Sequence, residues 1–182
     1  MPHMVVKGLT DSAHRTVIQM VDGPALSGAD VAAATSRFTQ ALVLLGAGKE
    51  SRVAMLSGNR EEVLHIGFAI MFAQGIKLAL HPMGSVDDYA YVADDANVDT
   101  VIFDPARYSD KMAELKARAP GVKRWLSLGP CDFATDLLAV ADLPEAKNSI
   151  IFNIRLSDDE LRGLQCRANI FHIAPSSAMR AD

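Results

Sequence analysis

The sequence predicts an α/β fold, a three-layer domain with a mainly parallel sheet, and two observations carry that prediction. The first is an unbroken alternation of strand, helix, strand, helix, strand, helix and strand between residues 51 and 128. Such alternation is typical of parallel strands, because each crossover helix returns the chain to the same edge of the sheet. The second is a helix over about residues 60–74 that is apolar nearly all round, so neighbours must cover most of its faces.

The chain is predicted to begin with a short antiparallel strand pair. Residues 16–21 are rich in β-prone side chains and are followed by the turn-forming Asp22-Gly23-Pro24. The returning strand can only be short, near residues 25–26.

A long amphipathic helix is predicted next. Ser27 and Asp30 have the spacing of a capping box in its Asp variant, and apolar residues then recur at helical spacing. Gly46 and Gly48 are predicted to end this helix as left-handed caps.

The alternating region supplies the remaining regular elements. Its helices have recognisable starts, because Ser85 and Asp88 form a capping box and Asp104 precedes a Pro at the first helical position. The predicted strands are residues 52–56, 76–80, 100–103 and 122–128, and the predicted helices are residues 60–74, the segment capped by Ser85, and 105–118.

Regularity decays after residue 130, and we expect two domains, an α/β subdomain over residues 1–143 and a divergent, loosely packed tail over residues 144–182. Residues 132–143 read as a weak helix or loop, and residues 149–154 as a strand. A capping box at residues 157–160 predicts a short helix to about Gln165. The end from Arg167 onward is predicted to be frayed or disordered.

Composition excludes several classes of function. Charged residues make up 22% of the 182 residues and the net charge is −4, so there is no basic field to hold nucleic acid or an anionic membrane. No apolar run approaches the roughly 20 residues that span a bilayer. The N-terminus lacks the layout of a signal peptide. We therefore expect a cytoplasmic protein with no nucleic-acid partner and no membrane span.

Cysteine and histidine spacing predicts no metal site. Cys131 and Cys166 match no metal or redox motif, and two reduced thiols are favoured over the alternative of a disulfide. No two histidines have the paired spacing of metal ligands. The histidines are His3, His14, His65, His81 and His172.

Residues 22 to about 130 resemble the N-terminal portion of the AMP-forming acyl-CoA synthetases, the fatty-acid–CoA ligases of the adenylate-forming ligase superfamily. The match covers about 110 of 182 residues. Each matching piece alone is a weak signal, but the order and spacing of all the pieces together make the resemblance specific. The matching pieces are Leu26-Ser27-Gly28-Ala29-Asp30-Val31, Leu44-Leu45-Gly46-Ala47-Gly48-Lys49, Val53-Ala54-Met55-Leu56-Ser57-Gly58-Asn59-Arg60-Glu61-Glu62, Ala73-Gln74-Gly75, Leu80-His81-Pro82, Tyr89-Ala90-Tyr91-Val92-Ala93-Asp94-Asp95-Ala96 and Val98-Asp99-Thr100-Val101-Ile102.

The resemblance implies an enzyme that activates a carboxylic or fatty acid with ATP, releases pyrophosphate and passes the acyl group from AMP to coenzyme A. The family uses ATP, Mg and coenzyme A, and holds the triphosphate on a Ser/Thr/Gly-rich loop that ends in Lys. It also needs a downstream Asp for the ribose and a Lys on a mobile C-terminal domain. This sequence has no counterpart of these motifs, so we assign no catalytic, cofactor-binding or metal residue and expect a truncated ligase that binds no cofactor and is inactive alone.

An alternative from another class is a non-catalytic interaction module. The apolar helix over residues 60–74 and the surface that a missing domain would cover favour pairing with a full-length relative, another partner protein or a second copy.

Two segments carry glycines that could hold an anion. Gly46-Ala47-Gly48-Lys49-Glu50-Ser51 has Val43 and Glu50 where a phosphate loop needs Gly and Ser or Thr, so it is predicted to be a helix cap. Ser57-Gly58-Asn59-Arg60 lies between a strand and a helix, a natural anion site. Glu61 and Glu62 in the first turn of that helix would repel phosphate, so Asn59 is predicted to cap the helix rather than to help hold an anion.

Two histidines leave a choice between packing and binding. His65 lies on the apolar helix and is predicted to be a hydrogen-bonded core residue rather than a ligand. His81 follows a strand beside Pro82, where the alternative to a structural role is a place facing a pocket.

Overall fold

The computed structural model describes residues 2–21, 23–147, 151–153 and 170–172. The described chain divides into two compact units, Met1–Ser36 with Asn148–Asp182, and Arg37–Lys147. The elements in chain order are α1 (Pro2–Asp11), β1 (Thr16–Gln19), β2 (Ala25–Ser27), α2 (Gly28–Leu44), β3 (Arg52–Leu56), α3 (Glu61–Phe72), β4 (Ile76–Ala79), α4 (Val86–Asp95), β5 (Thr100–Phe103), α5 (Pro105–Arg118), β6 (Arg124–Ser127), β7 (Thr135–Asp136), α6 (Leu137–Ala141), β8 (Ile151–Asn153) and β9 (Ile170–His172).

The second unit is built on a five-stranded sheet in the order β4-β3-β5-β6-β7, in which every neighbouring pair is parallel. Strand β3 lies next to both β4 and β5, with Val53 opposite Lys77 on one side and Thr100 on the other. The predicted parallel sheet is therefore confirmed.

Side chains on alternate strand residues point to opposite faces of this sheet and build two cores. Ile102 packs with α2, α3 and α6, whereas its neighbours Val101 and Phe103 pack with α4 and α5. Helices thus cover both faces of the sheet, and the predicted three-layer architecture is confirmed.

The predicted helix starts in this unit are also observed. The Ser85 hydroxyl accepts from the Asp88 amide at 3.1 Å, and the Asp88 carboxylate accepts from the Ser85 amide at 2.8 Å. The Asp104 carboxylate accepts from the Ala106 amide at 3.2 Å, with Pro105 at the first helical position. These bonds satisfy amides that the helix itself leaves unpaired.

Helix α3 is covered on fewer of its faces than its nearly all-round apolar sequence predicts. Every residue of β5 is buried, whereas α3 has a buried face and an opposite face that is only half-buried, with Leu64 48% exposed. A central parallel strand is covered by helices on both sides, whereas a helix in an outer layer is covered by the sheet on one side.

Of the two glycines predicted to end α2 as left-handed caps, only the first adopts that conformation. Gly46 has the expected positive φ of 76°, but Gly48 does not, and Glu50 at 65° adopts the left-handed conformation instead. After α3 that conformation belongs to Gln74, with φ 63°, rather than to Gly75. Space at Gly75 is tight, because a Cβ there would lie 3.1 Å from the Ile70 side chain and 3.2 Å from the Ser51 carbonyl oxygen.

The first unit contains a helix that the sequence analysis missed. Helix α1 precedes the predicted antiparallel pair, β1 with β2, and the Ser12 carbonyl just beyond it accepts from the Gly28 amide at 3.1 Å. A ten-residue helix is marginal alone, so a partner rather than propensity is needed to stabilise it. The predicted Ser27–Asp30 capping box is present, with the Asp30 amide donating to the Ser27 hydroxyl at 3.2 Å.

The segment after β6 is more regular than predicted. The weak helix or loop over residues 132–143 is the short strand β7 followed by α6, whose first turn is capped by Asp136. The predicted strand is present as β8, paired in parallel with β9, so the prediction of a frayed end is wrong at Ile170–His172. The predicted helix over residues 157–165 and Cys166 lie outside the described residues.

Candidate functional site

The order of the strands places a crevice at one end of the sheet. From β3 the chain crosses through α3 to β4 on one side, then returns through α4 to β5 on the other side of β3. In open parallel sheets, ligands bind outside the carboxyl ends of the strands at such a switch point. Ser57-Gly58-Asn59-Arg60 follows β3, Asp104 follows β5, and Leu128 follows β6, so these residues meet at that end.

Arg60 joins the three strand ends. Its Nη1 lies 3.4 Å from Asp104 Oδ1 and donates to the Leu128 carbonyl oxygen at 3.2 Å. Its Nη2 and Nε donate to the two oxygens of Glu62 at 2.8 and 3.2 Å. Arg60, not Asn59, is the N-cap residue of α3, with extended backbone and no side-chain hydrogen bond that caps the backbone amides of the first turn, so the predicted Asn59 cap is wrong.

Charges in this cluster stabilise one another. The hydrogen bond to Glu62 raises the pKa of Arg60 against the opposing effect of burial, and the nearby Asp104 acts in the same direction. Burial of Glu62 opposes its ionisation, but the bond from Arg60 and the backbone of α3 outweigh burial, so the pKa of Glu62 is lowered. The guanidinium is therefore held in ion pairs and is not free to receive another anion.

An open cleft of about 450 Å³ lies beside this cluster. Its walls carry Arg60, Asp104, Ser109, Cys131 and Asp132, together with apolar residues of the β5–α5 and β6–β7 connections. The thiol of Cys131 is half-buried and forms no disulfide. The lining is mixed in charge.

Two polar groups near Gly58 were not anticipated. The Ser57 hydroxyl is buried and finds no hydrogen-bond partner among the described residues. The Arg107 guanidinium lies over Gly58, with Nη1 3.0 Å from where a Cβ would stand. One signal in the sequence predicts that Ser57 and Arg107 lie near each other. Ser57 follows β3 and Arg107 lies in the first turn of the helix that follows β5, and these two strands are neighbours in one parallel sheet.

The residues at the crevice do not fit the ATP and Mg that the resemblance implies. Arg60 is neutralised by Glu62 and Asp104, and these carboxylates would repel a triphosphate. In the part of the chain that the structure describes, no group of three or more His, Cys, Asp or Glu could hold a metal ion. The assignment of no catalytic, cofactor or metal residue remains a prediction.

His65 is a buried residue of the α3 core. It is 4% exposed, and its ring stacks on Phe38 with centroids 6.5 Å apart and planes at 12°. Its Nδ1 finds no hydrogen-bond partner within the described ranges, so the predicted hydrogen bond is not made at that atom. Burial lowers the pKa of His65, with Arg37 acting in the same direction and Glu61 and Glu62 opposing it.

The other candidate segments form local structure. His81 is exposed, its Nδ1 accepts from the Met83 amide at 3.2 Å, and its carbonyl accepts from the Tyr89 hydroxyl at 2.6 Å. It therefore shapes the turn before α4 and lines none of the described cavities. In the glycine segment after α2, the Gly46 and Ala47 amides donate to the carbonyls of Val43 and Leu42 at 2.9 and 2.8 Å, which confirms the predicted helix end.

The chain matches the family model described as AMP-binding enzyme over residues 9–162. It belongs to that family. The predicted resemblance is thereby confirmed, and the three-layer unit is an N-terminal portion of the adenylate-forming ligase fold. Among the described residues no helix is both long enough and apolar enough to cross a bilayer.

A curated relative gives a narrower comparison. The chain is 34% identical over 139 residues to the medium/long-chain-fatty-acid–CoA ligase FadD8 of Mycobacterium tuberculosis (strain ATCC 25618 / H37Rv). The match covers 76% of this chain and 24% of FadD8. The chain thus spans about a quarter of the length of that relative.

Solved structures of ligases share the fold. An anthranilate CoA ligase, AuaEII, in complex with anthranoyl-AMP matches with a TM-score of 0.70 at 15% identity, over 77% of this chain and 27% of that one. A benzoate CoA ligase from Burkholderia xenovorans LB400 matches with a TM-score of 0.67 at 16% identity, over 78% of this chain and 28% of that one. At these identities the likeness concerns the fold alone.

Proposed function

We propose that this chain is the N-terminal α/β module of an AMP-forming acyl-CoA ligase whose substrate is a medium- or long-chain fatty acid. The observation that carries the proposal is the 34% identity to FadD8 over 76% of the chain. The parallel sheet with helices on both faces supports it, since ligases of this fold share that architecture.

The module itself supplies structure rather than chemistry in this proposal. At the crevice, the positive charge of Arg60 is held between Glu62 and Asp104, where it ties strand ends together. Binding of ATP, Mg and coenzyme A is then a property of the remainder of such a ligase, and the isolated chain is inactive. ATP–pyrophosphate exchange with Mg and fatty acids of 8 to 18 carbons, taken as roughly the medium and long range, measures this directly. We expect the isolated chain to show no exchange above the level measured without enzyme. FadD8 assayed in parallel is the positive control.

A chimera tests the proposed role positively. Residues of FadD8 that align with this chain are replaced by this chain's own residues, and exchange is measured with the same fatty acids. A folded chimera that retains exchange within about tenfold of FadD8 supports the proposal, because each tenfold loss corresponds to only about 1.4 kcal/mol. A folded chimera without exchange, or clear exchange by the isolated chain, refutes it.

We further propose that the chain functions in the cytoplasm, as its composition suggests, and that residues 1–143 form a more stable body than residues 144–182. Limited proteolysis followed by mass spectrometry tests the boundary. Early cleavage within residues 144–182 is expected, whereas early cleavage inside the five-stranded unit would contradict it.

A second candidate function is a non-catalytic interaction module. The observation that favours it is the apolar side of α3 away from its buried face, where Leu64 is exposed and Gly67, Phe68 and Met71 are half-buried. Size-exclusion chromatography with light scattering separates a self-associating chain from a monomer.

A further inference from the structure

An open cleft of about 580 Å³ lies along the outer edge of β6, between the end of α5 and residues 132–135. Strand β7 pairs only with Leu126 and Ser127, so within the described ranges no strand lies beside the first half of β6, Arg124 and Trp125. The cleft occupies this gap, and we call it the β6 edge cleft. Its volume is within the roughly 300–1,000 Å³ of small-molecule sites.

An excess of positive charge lines the β6 edge cleft. Lys116, Lys123 and Arg124 line it together with one carboxylate, Asp132, although the whole chain has a net charge of −4. The Arg124 charge is already paired, because its Nη1 donates to the Asp99 carboxylate at 2.8 Å. The cleft therefore keeps two ammonium groups against one carboxylate.

The two lysines differ in how they are held. Lys116 Nζ donates to the Phe133 carbonyl oxygen at 2.7 Å and lies 5.4 Å from the centroid of the Phe133 ring. An ammonium has three donors, so two remain open on Lys116. Lys123 is exposed, and in the part of the chain that the structure describes its ammonium makes no hydrogen bond or ion pair. The cleft thus presents one positioned cation and one unpaired cation.

Trp125 adds a hydrogen-bond donor to the wall of the cleft. The side chain is only 8% exposed, and its indole N–H meets no acceptor among the described residues. This nitrogen is not one of the fully enclosed atoms that lack a partner, so solvent reaches it. Buried Trp N–H groups usually find a hydrogen-bond partner. An open, unpaired donor beside two ammonium groups therefore points to an acceptor on a bound ligand.

We infer that the β6 edge cleft binds a phosphate monoester that carries an aromatic or other apolar group. Such a phosphate has about 1.5 to 2 negative charges near neutral pH and three acceptor oxygens, which match two ammonium groups and one indole donor. Lys is a common ligand of phosphate. The rings of Trp125 and Phe133 supply an apolar wall for the organic group. The carboxylate of Asp132 opposes the bound anion, which gives the test below a definite sign.

This inference does not depend on the proposed function. Asp132 and Phe133 also line the cleft beside Arg60, but none of the three cations of the β6 edge cleft does. The two clefts are therefore neighbours with different cations. Ligand binding, rather than ligase activity, is the property to measure.

The single tryptophan of the chain makes a direct test possible. Trp125 fluorescence is followed while the 182-residue chain is titrated with phenyl phosphate at constant ionic strength. Calorimetry under the same conditions detects binding that leaves the fluorescence unchanged. We expect saturable binding of phenyl phosphate, weaker binding of inorganic phosphate, and no binding of phenol or chloride.

Substitutions of exposed residues assign the site. K123Q and K116Q should each weaken phenyl phosphate binding at least about fivefold, since each removes a charged donor. D132N should strengthen binding about twofold or more, because it removes the opposing carboxylate. The control is K77Q on β4, an exposed lysine at the opposite edge of the sheet, which should leave the affinity unchanged.

Three results would each overturn the inference. If neither method detects binding of phenyl phosphate, the β6 edge cleft is not a phosphate site. If K77Q weakens binding as much as K123Q does, the phosphate is attracted by surface charge in general. If phenol binds as tightly as phenyl phosphate, the cleft recognises the aromatic ring and not the anion.

Discussion

The Arg60 guanidinium lies 3.4 Å from the Asp104 carboxylate, although 44 residues separate them in the chain. Arg60 follows β3 and Asp104 follows β5, so the ion pair joins the carboxyl ends of two neighbouring parallel strands at the switch point of the sheet. Asp104 is 4% exposed and also caps α5. The Asp104 carboxylate thus caps the start of α5 and also binds Arg60 at the end of β3.

Replacing Arg60 by Ala should destabilise the chain. Asp104 would lose its charged partner while remaining buried, and the Leu128 carbonyl would lose a donor. We expect the free energy of unfolding to fall by about 1–3 kcal/mol, measured by urea denaturation. R107A is the control, because Arg107 is exposed, and it should change stability by less than about 0.5 kcal/mol. If R107A lowers the free energy of unfolding as much as R60A does, the stabilising role given to the contacts of Arg60 with Asp104 and Leu128 is wrong.

Acidification should destabilise the chain through His65. Its pKa is lowered from 6.5 by burial, so the unfolded chain binds a proton at a higher pH than the folded chain. The contribution of neutral, buried His65 to the free energy of unfolding is therefore fully present above about pH 6.5. That contribution is lost as the pH falls from there towards the pKa of His65 in the folded chain. Thermal midpoints measured between pH 7.5 and about 5 should decline, since His is the residue that titrates in this range.

The variant H65F isolates that contribution. Phe keeps an aromatic ring beside Phe38 but cannot take up a proton. Its midpoint should depend less on pH over the same range than that of the unchanged chain. Parallel curves for the two proteins would show that other groups cause the dependence.

Two glycines at the N-terminal end should respond in opposite directions to Ala. A Cβ on Gly28 would lie 2.5 Å from the carbonyl oxygens of Leu9 and Ser12, so G28A should lose about 1–3 kcal/mol through forced backbone movement. Gly8, inside α1, has open space at the Cβ position, and G8A should gain about 0.5–1 kcal/mol from helix propensity. Hydrogen exchange of the α1 amides separates the two effects. If G28A and G8A change the free energy of unfolding equally, the close contact of Gly28 with the Leu9 and Ser12 carbonyl oxygens does not explain the effect of G28A.

Truncation should be sensitive to four residues after Leu143. Ala146 is 0% exposed and belongs to the core shared with α2, α3 and α6, and its amide donates to the Leu143 carbonyl at 3.1 Å. A chain ending at Lys147 should therefore be more stable than one ending at Leu143 by about 1 kcal/mol. Identical denaturation midpoints for the two truncated chains would contradict this.

The sequence predicted most of the five-stranded unit because its signals are local. Apolar runs mark β3 and β5, and Ser85, Asp88 and Asp104 mark helix starts through bonds to amides two or three residues away. Helix α1 and strand β7 were missed because each is short and depends on a partner from another part of the chain. The N-cap of α3 was misassigned because Arg60 is held by residues on distant segments.

By itself, then, the sequence determined the α/β class, the order of the elements and the resemblance to AMP-forming ligases, since periodicity, capping and turn chemistry act over a few residues. Only the tertiary structure decided that Arg60 is neutralised by Asp104, that His65 is buried against Phe38, and that α3 keeps an apolar outer face. Burial and long-range pairing depend on which strands become neighbours in the sheet, and no local pattern in the chain encodes that order.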